Sequence, residues 1–258
     1  MKHLAKTVFL VLFMACQASE KNDQVRLNHI QVIGSHNSYK MAIEKPLMDL
    51  LIREDSSAIG LDYAHFTLTE QLDFGIRGLE LDVLYDPHDG AFQTPKGMDI
   101  LYSLGITALP YDTMSLKISG LKVFHIPDID FRSHYLTFKG CLGEVQEWSQ
   151  AHPDHIPVII TINPKNFGIE KPGFTKVILF DAQILDSLDK EISEVFHMDY
   201  LITLGFVKQD HKNLRQAIIE KGWPALDDVR GRILLVLDAG ERVTEEYLKK
   251  TTTRNLYL

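Results

Sequence analysis

The chain has 258 residues, 45% of them hydrophobic and 24% charged, a balance that suits a packed core and excludes global disorder. Lys and Arg number 27 against 35 Asp and Glu, a formal charge of −8. A reader of phosphate backbones carries a basic excess, so no nucleic-acid partner is expected, and the acidic balance fits an exported protein or a site that collects cations.

Lys2 and Lys6 precede an apolar run over 8–15, and Cys16 follows it. The run is far shorter than the ~20 residues of a membrane span and has the length and flanks of a secretory h-region. Phe13-Met14-Ala15-Cys16 has the form of a lipoprotein cleavage box, although Phe13 stands where Leu is usual. The expectation is a signal segment over 1–16 with lipidation of Cys16 at the cell envelope; plain secretion or a buried N-terminal helix are the alternatives. Residues 17–28 read as a polar tether, and 29–258 as one domain. With Cys16 committed, Cys141 has no partner for a disulfide. It lies in an apolar-periodic stretch and reads as a small buried hydrophobe.

Along the domain, strand-like runs alternate with helical patterns. Strands are expected over 30–33, 78–84, 121–124, 157–162, 200–204 (the weakest) and 232–237. Helices are expected over 69–74, 142–151, 180–196, 213–221 and 241–250, with Gly222 ending the fourth. Residues 86–120 read as one long loop. The alternation argues for an α/β fold with a parallel sheet. Chemistry-bearing residues at strand ends suggest a (β/α)8 barrel. About six strands are legible where a barrel needs eight, so the expectation is a barrel lacking its last strands.

Three clusters carry chemistry. Gly34-Ser35-His36-Asn37-Ser38-Tyr39 follows the first strand, with a histidine that titrates near neutrality and an amide oxygen suited to a hard cation. Arg77-Gly78-Leu79-Glu80-Leu81-Asp82 puts two carboxylates two residues apart, on one face of a strand. Such a pair inside a barrel needs positive charge between its members; calcium fits best, magnesium is stricter, and the His/Cys spacing of zinc is missing. A solvated strand face is the plain alternative. His125-Ile126-Pro127-Asp128-Ile129-Asp130 supplies a second histidine, as acid/base cleavage of a phosphodiester needs. A lone His36 is also at home as a structural residue, and Asp128 and Asp130 as partners of Arg132. His65, His88, His134, His152, His155, His197 and His211 are read as structural or surface groups.

In order, GSHNSY, LTEQLDFGIRGLELDV, LKVFHIPDIDFRS and CLGEVQEWSQAHPDHIPVIITI resemble the bacterial calcium-dependent phosphoinositide-specific phospholipase C family, from about Ile30 to Ile162, and RGRILLVLDAG does so more weakly. The resemblance implies a distorted TIM barrel of the phospholipase C-like phosphodiesterase type. It implies a calcium-dependent hydrolase that cleaves phosphatidylinositol-type lipids at a membrane surface, with no protein partner. It assigns His36 and His125 as catalytic histidines, Arg77 as an arginine beside the carboxylate pair, and Asn37, Glu80 and Asp82 as calcium ligands. A fourth ligand, usually glutamate, falls at Asn163, which leaves Glu80 as the general base. A glycerophosphodiester phosphodiesterase-like enzyme and a catalytically inactive surface-binding lipoprotein are the alternatives.

Overall fold

The computed structural model describes residues 24–88 and 90–248. The expected signal segment, Cys16 and most of the tether lie outside the described residues, as does the end of the last expected helix. The described chain is α/β. Its strands are β1 (Gly78–Asp86), β2 (Gly120–Lys122), β3 (Val158–Pro164) and β4 (Ile233–Leu237). Its helices are α1 (Lys45–Glu54), α2 (Leu68–Asp73), α3 (Lys96–Ser103), α4 (Phe138–Ala151), α5 (Ala182–Val195), α6 (Leu204–Lys208), α7 (Leu214–Lys221) and α8 (Glu241–Leu248). Among them, no helix is long and apolar enough to cross a membrane.

The four strands form one sheet in the order β2-β1-β3-β4. β1, β3 and β4 run parallel, and β2 folds back antiparallel on the end of β1. Six parallel strands are therefore not what forms. The run over 30–33 forms no strand, with one bridge just past it from Gly34 to Gly78, and the 200–204 run makes one bridge, Leu201 to Ile233. In the second case Thr203 caps α6 by accepting from the Phe206 amide, so the chain turns into a helix before a strand can extend. The 121–124 run is the antiparallel arm of a long excursion, because the chain between β1 and β2 returns on the same edge. That excursion is not a bare loop: it holds α3, whose Leu101 is buried with Leu47 and Phe131.

Each long helix starts where its sequence supplies a cap. Thr137 accepts from the Gly140 amide at the head of α4, and Asp181 accepts from Gln183 and Ile184 at the head of α5. Phe138, Cys141, Leu142, Val145 and Trp148 then fall on one buried stripe of α4. Ile184, Leu185, Leu188 and Ile192 do the same on α5. Leu79, Leu81 and Val83 of β1 and Val158, Ile160 and Ile162 of β3 complete this core. The alternate residues of the two strands face the other way. Register pairs Glu80 with Thr161 and Asp82 with Asn163, and paired residues of parallel strands share a face. Helix packing on one face thus leaves the polar residues gathered on the other.

Candidate functional site

The site begins where the 34–39 loop meets β1. Gly34 and Gly78 touch backbone to backbone: a Cβ on Gly34 would meet the Gly78 carbonyl oxygen at 3.2 Å, and one on Gly78 the Gly34 Cα at 3.1 Å. A side chain at either position would force the loop and the strand apart by a few tenths of an ångström. Asn37 then takes a left-handed backbone (φ 51°), which asparagine tolerates better than most residues. Its amide N–H donates to Glu80 Oε2 at 2.7 Å. The Ser38 amide donates to the Glu80 carbonyl at 3.0 Å, and the Glu80 amide to Ser38 Oγ at 2.8 Å. Buried Gln71 of α2 holds the loop from behind, donating to the carbonyls of Ser38 and Phe66, both at 2.7 Å.

Asp82 lies at the centre and is 1% exposed. Its Oδ2 accepts from the Tyr39 hydroxyl at 2.8 Å and meets the Lys165 ammonium group at 3.0 Å. The Asn37 side chain is assigned with its oxygen towards the Tyr63 hydroxyl, 2.7 Å, and its NH2 group towards Asp82 Oδ2, 2.9 Å, and Glu80 Oε2, 3.2 Å; this orientation satisfies both ends. Burial, with the charge of Asp82 added, pushes the Glu80 carboxyl up to about 8. Burial and then Asp82 also hold the Tyr39 hydroxyl far above its ordinary range, so it remains a neutral donor. Asn163 faces the same side from β3, opposite Asp82.

The two histidines flank this centre through one contiguous network. His36 is exposed; its Nδ1 is 3.3 Å from the Tyr63 hydroxyl, and its carbonyl accepts from His65 Nε2 at 2.8 Å. His125 donates from Nδ1 to Asp130 Oδ2 at 2.9 Å, which leaves Nε2 as the free nitrogen of a side chain 17% exposed. Asp130 also meets the Lys40 ammonium group at 2.9 Å, and both of these side chains are fully buried. Lys40 in turn donates to the Tyr63 carbonyl at 3.1 Å and lies 4.8 Å from the centre of the Tyr63 ring. The path His125–Asp130–Lys40–Tyr63–Asn37 joins the second histidine to the carboxylates.

Three expectations change. Arg77 is not beside the carboxylates: its guanidinium donates to the carbonyls of Leu72 and Ile76 and stacks 4.7 Å from the centre of Trp148. An odd-numbered position just before β1 turns to the helix side, away from Glu80 and Asp82. Asp128 and Asp130 do not pair with Arg132, which instead pairs with Glu44. Asp128 accepts from the amides of Lys96 and Thr175, fixing α3 and the later loop. Finally, Lys40, Tyr63 and Lys165 belong to the network and were not expected there. Tyr39 and Asp130 lay within the clusters singled out, without a role of their own in the site. A Pro127-containing turn returns the chain five residues after His125, where Ile126 and Asp130 exchange backbone bonds. Cys141 is the buried, free hydrophobe expected, and His155 is a buried structural residue joined to Ser149.

Whether a cation suits this pocket is decided by its donors. Glu80 and Asp82 offer carboxylate oxygens and Asn163 lies in register with Asp82; the Asn37 amide, in contact with both acids, would present its oxygen to a cation only on turning over. Asp82 Oδ1 is buried without a hydrogen-bond partner. An orphaned buried oxygen beside a second carboxylate fits a hard cation. The donor set is poor in charge, with two acids and two amides. Among the described residues, no three or more His, Cys, Asp and Glu side chains cluster as a metal cage. Beside the site, a cleft of about 690 Å³ runs past His36, walled by Ile76 and by Phe66 and Phe74, which are 63% and 76% exposed.

Residues 25–256 match the family described as phosphoinositide phospholipase C, Ca2+-dependent. No curated protein matches. Among solved structures, the apo calcium-dependent phosphoinositol-specific phospholipase C from a Gram-negative bacterium, Pseudomonas sp., is similar with 18% identity and a TM-score of 0.54, over 91% of this chain and 65% of that one. Its myoinositol complex matches at 19% identity with the same TM-score. The Ca2+-dependent phosphatidylinositol-specific phospholipase C from Streptomyces antibioticus matches at 19% identity and a TM-score of 0.47, over 84% and 58% of the two chains. The chain thus spans just under two thirds of the Pseudomonas enzyme it matches, and shares its α/β barrel fold over that length.

Proposed function

Because the chain belongs to the Ca2+-dependent phosphoinositide phospholipase C family, we propose that it cleaves phosphatidylinositol-type lipids into diacylglycerol and a cyclic inositol phosphate. The observation that carries this reading is the single network joining two histidines to the Glu80–Asp82 pair. Asn37, Glu80, Asp82 and Asn163 would hold the cation, calcium before magnesium. Bound there, calcium supplies positive charge that offsets the phosphate and acidifies a neighbouring hydroxyl.

The chain's own groups do the rest. Glu80, its carboxyl raised by burial and then by Asp82, takes the proton of the inositol 2-hydroxyl in its ionised form. The 2-oxygen attacks phosphorus, and the bond to the glycerol oxygen breaks. His36 stabilises charge on the phosphoryl oxygens. His125, held at Nδ1 by Asp130, gives its Nε2 proton to the departing glycerol oxygen. The apolar wall of Phe66 and Phe74 beside His36 suits the lipid part of such a substrate. Export and lipidation at Cys16 belong to the same proposal, since an envelope anchor brings the site to a membrane surface.

The test is release of cyclic inositol phosphate from phosphatidylinositol micelles, followed by phosphorus NMR with calcium and with a chelator. Calcium-dependent product is expected, and each of His36→Ala and His125→Ala should lose ~10²–10⁴ in rate with the fold retained. Near-normal turnover in either folded variant would sink the assignment. Glycerol phosphate from glycerophosphodiesters, without inositol product, would redirect it to that substrate class. No product from either substrate would leave a binding protein.

A further inference from the structure

Lys165 follows β3 by one residue, and its amide donates to the Val83 carbonyl at 2.9 Å. Two positions beyond Asn163, it returns to the carboxylate face. The side chain is 7% exposed, against 1% for Asp82, with 3.0 Å between Nζ and Oδ2. The Phe167 ring covers it, 4.7 Å from Nζ to the ring centre. A buried ammonium group needs a counter-charge beside it, and Asp82 is that counter-charge.

The same carboxylate is the more buried of the two acids of the expected cation site. Two cations therefore claim one acid. Position 163 does not relieve the conflict, because its amide adds an oxygen and no charge. Even with Glu80 and Asp82 both ionised, Lys165 leaves the pocket only one net negative charge. Calcium affinity falls with the charge count of the ligands.

We propose that Lys165 is a resident cation of this pocket and competes with a divalent ion for Asp82. Calcium binds weakly, and the pocket keeps one fixed positive charge whether or not a metal is bound. This rests on reading Asn37, Glu80, Asp82 and Asn163 as the cation site, and it concerns what that site holds before any substrate arrives.

The experiment is calorimetric titration of the metal-stripped full chain with calcium chloride, with thermal melts alongside. Neither readout depends on activity. Wild type should bind only at ~10⁻⁴–10⁻³ M calcium, the weak end of the range for protein calcium sites; affinity at micromolar or tighter would overturn the proposal. Lys165→Met should bind at least about tenfold more tightly and gain a larger calcium-dependent rise in Tm. Lys165→Gln, which can still donate to Asp82 and serves if the methionine variant does not fold, should follow it. Lys165→Arg, keeping the charge, should stay weak. Unchanged or weaker binding in the folded neutral variants, or tight binding in the arginine variant, would overturn the competition. Asn163→Glu separates the two readings. If it gains calcium while the neutral Lys165 variants do not, the cation site stands and the role of Lys165 falls. If none of the variants binds calcium, the cation reading fails and the proposal with it.

Discussion

At the scale of single residues, Asp130 has a lysine and a histidine beside it and no solvent. Lys40 and Asp130 are each fully buried, and His125 takes the second carboxylate oxygen. Breaking a buried pair by removing one partner leaves an unpaired charge, at a cost of ~3–5 kcal/mol. Asp130→Asn keeps the shape but removes the charge that holds His125 by its Nδ1–H. Its kcat on phosphatidylinositol should fall, by less than the His125→Ala loss, while KM changes little. The same variant should melt well below wild type, because Lys40 is left buried without its counter-ion. An Asp130→Asn protein with unaltered kcat would show that Asp130 supports the fold and does not orient the histidine.

At the scale of elements, α5 does more than cover the sheet. Glu191 projects from its buried stripe and accepts from the Leu121 amide at 2.8 Å, tying the helix to β2. Burial raises its carboxyl above the ordinary value of 4.5. The native state therefore holds a proton that the unfolded chain gives up near that value. The stabilising contribution is complete below the unfolded pKa and is lost as pH rises through the raised folded one. Glu191→Gln keeps an acceptor for Leu121 and has no charge to bury. It should melt above wild type at pH 8, with the gap narrowing or reversing towards pH 4.5. Thermal melts across that range decide it; a gap independent of pH would mean that Glu191 is not protonated in the native protein.

At the scale of the molecule, the acidic balance works against an anionic bilayer. The formal charge is −8, and phosphatidylinositol is itself anionic. Long-range repulsion is unscreened at low salt, with a Debye length of ~30 Å at 0.01 M and ~8 Å at 0.15 M. Initial rates on anionic vesicles should therefore rise with sodium chloride over that interval, at fixed free calcium. Rates on neutral detergent micelles dilute in substrate should change far less. A fall in vesicle rate with salt would point to a local basic face that the overall charge conceals.

How much of this was legible in the chain depended on the range of the interaction. The alternation in Gly78–Asp86, the caps at Thr137 and Asp181 and the apolar stripes of α4 and α5 are local patterns. They announce strand, helix start and buried face without reference to distant residues. Glu80 and Asp82 were legible for the same reason, since a period of two puts both on one face. Other features arise only when separate segments meet. The strand runs at 30–33 and 200–204 do not extend: one bridge forms at Gly34, just past the first, and one at Leu201 in the second, where the Thr203 cap turns the chain into a helix. Arg77 turns towards Trp148, 71 residues later, because that ring lies on its side of the sheet. Lys40 finds Asp130 and Lys165 finds Asp82 across 90 and 83 positions, and no local pattern reports which distant carboxylate will neutralise a buried lysine. Residue types and periodicity wrote the chemistry into the chain; the pairing of buried charges, settled by desolvation in the closed fold, determined which cations stand beside which acids.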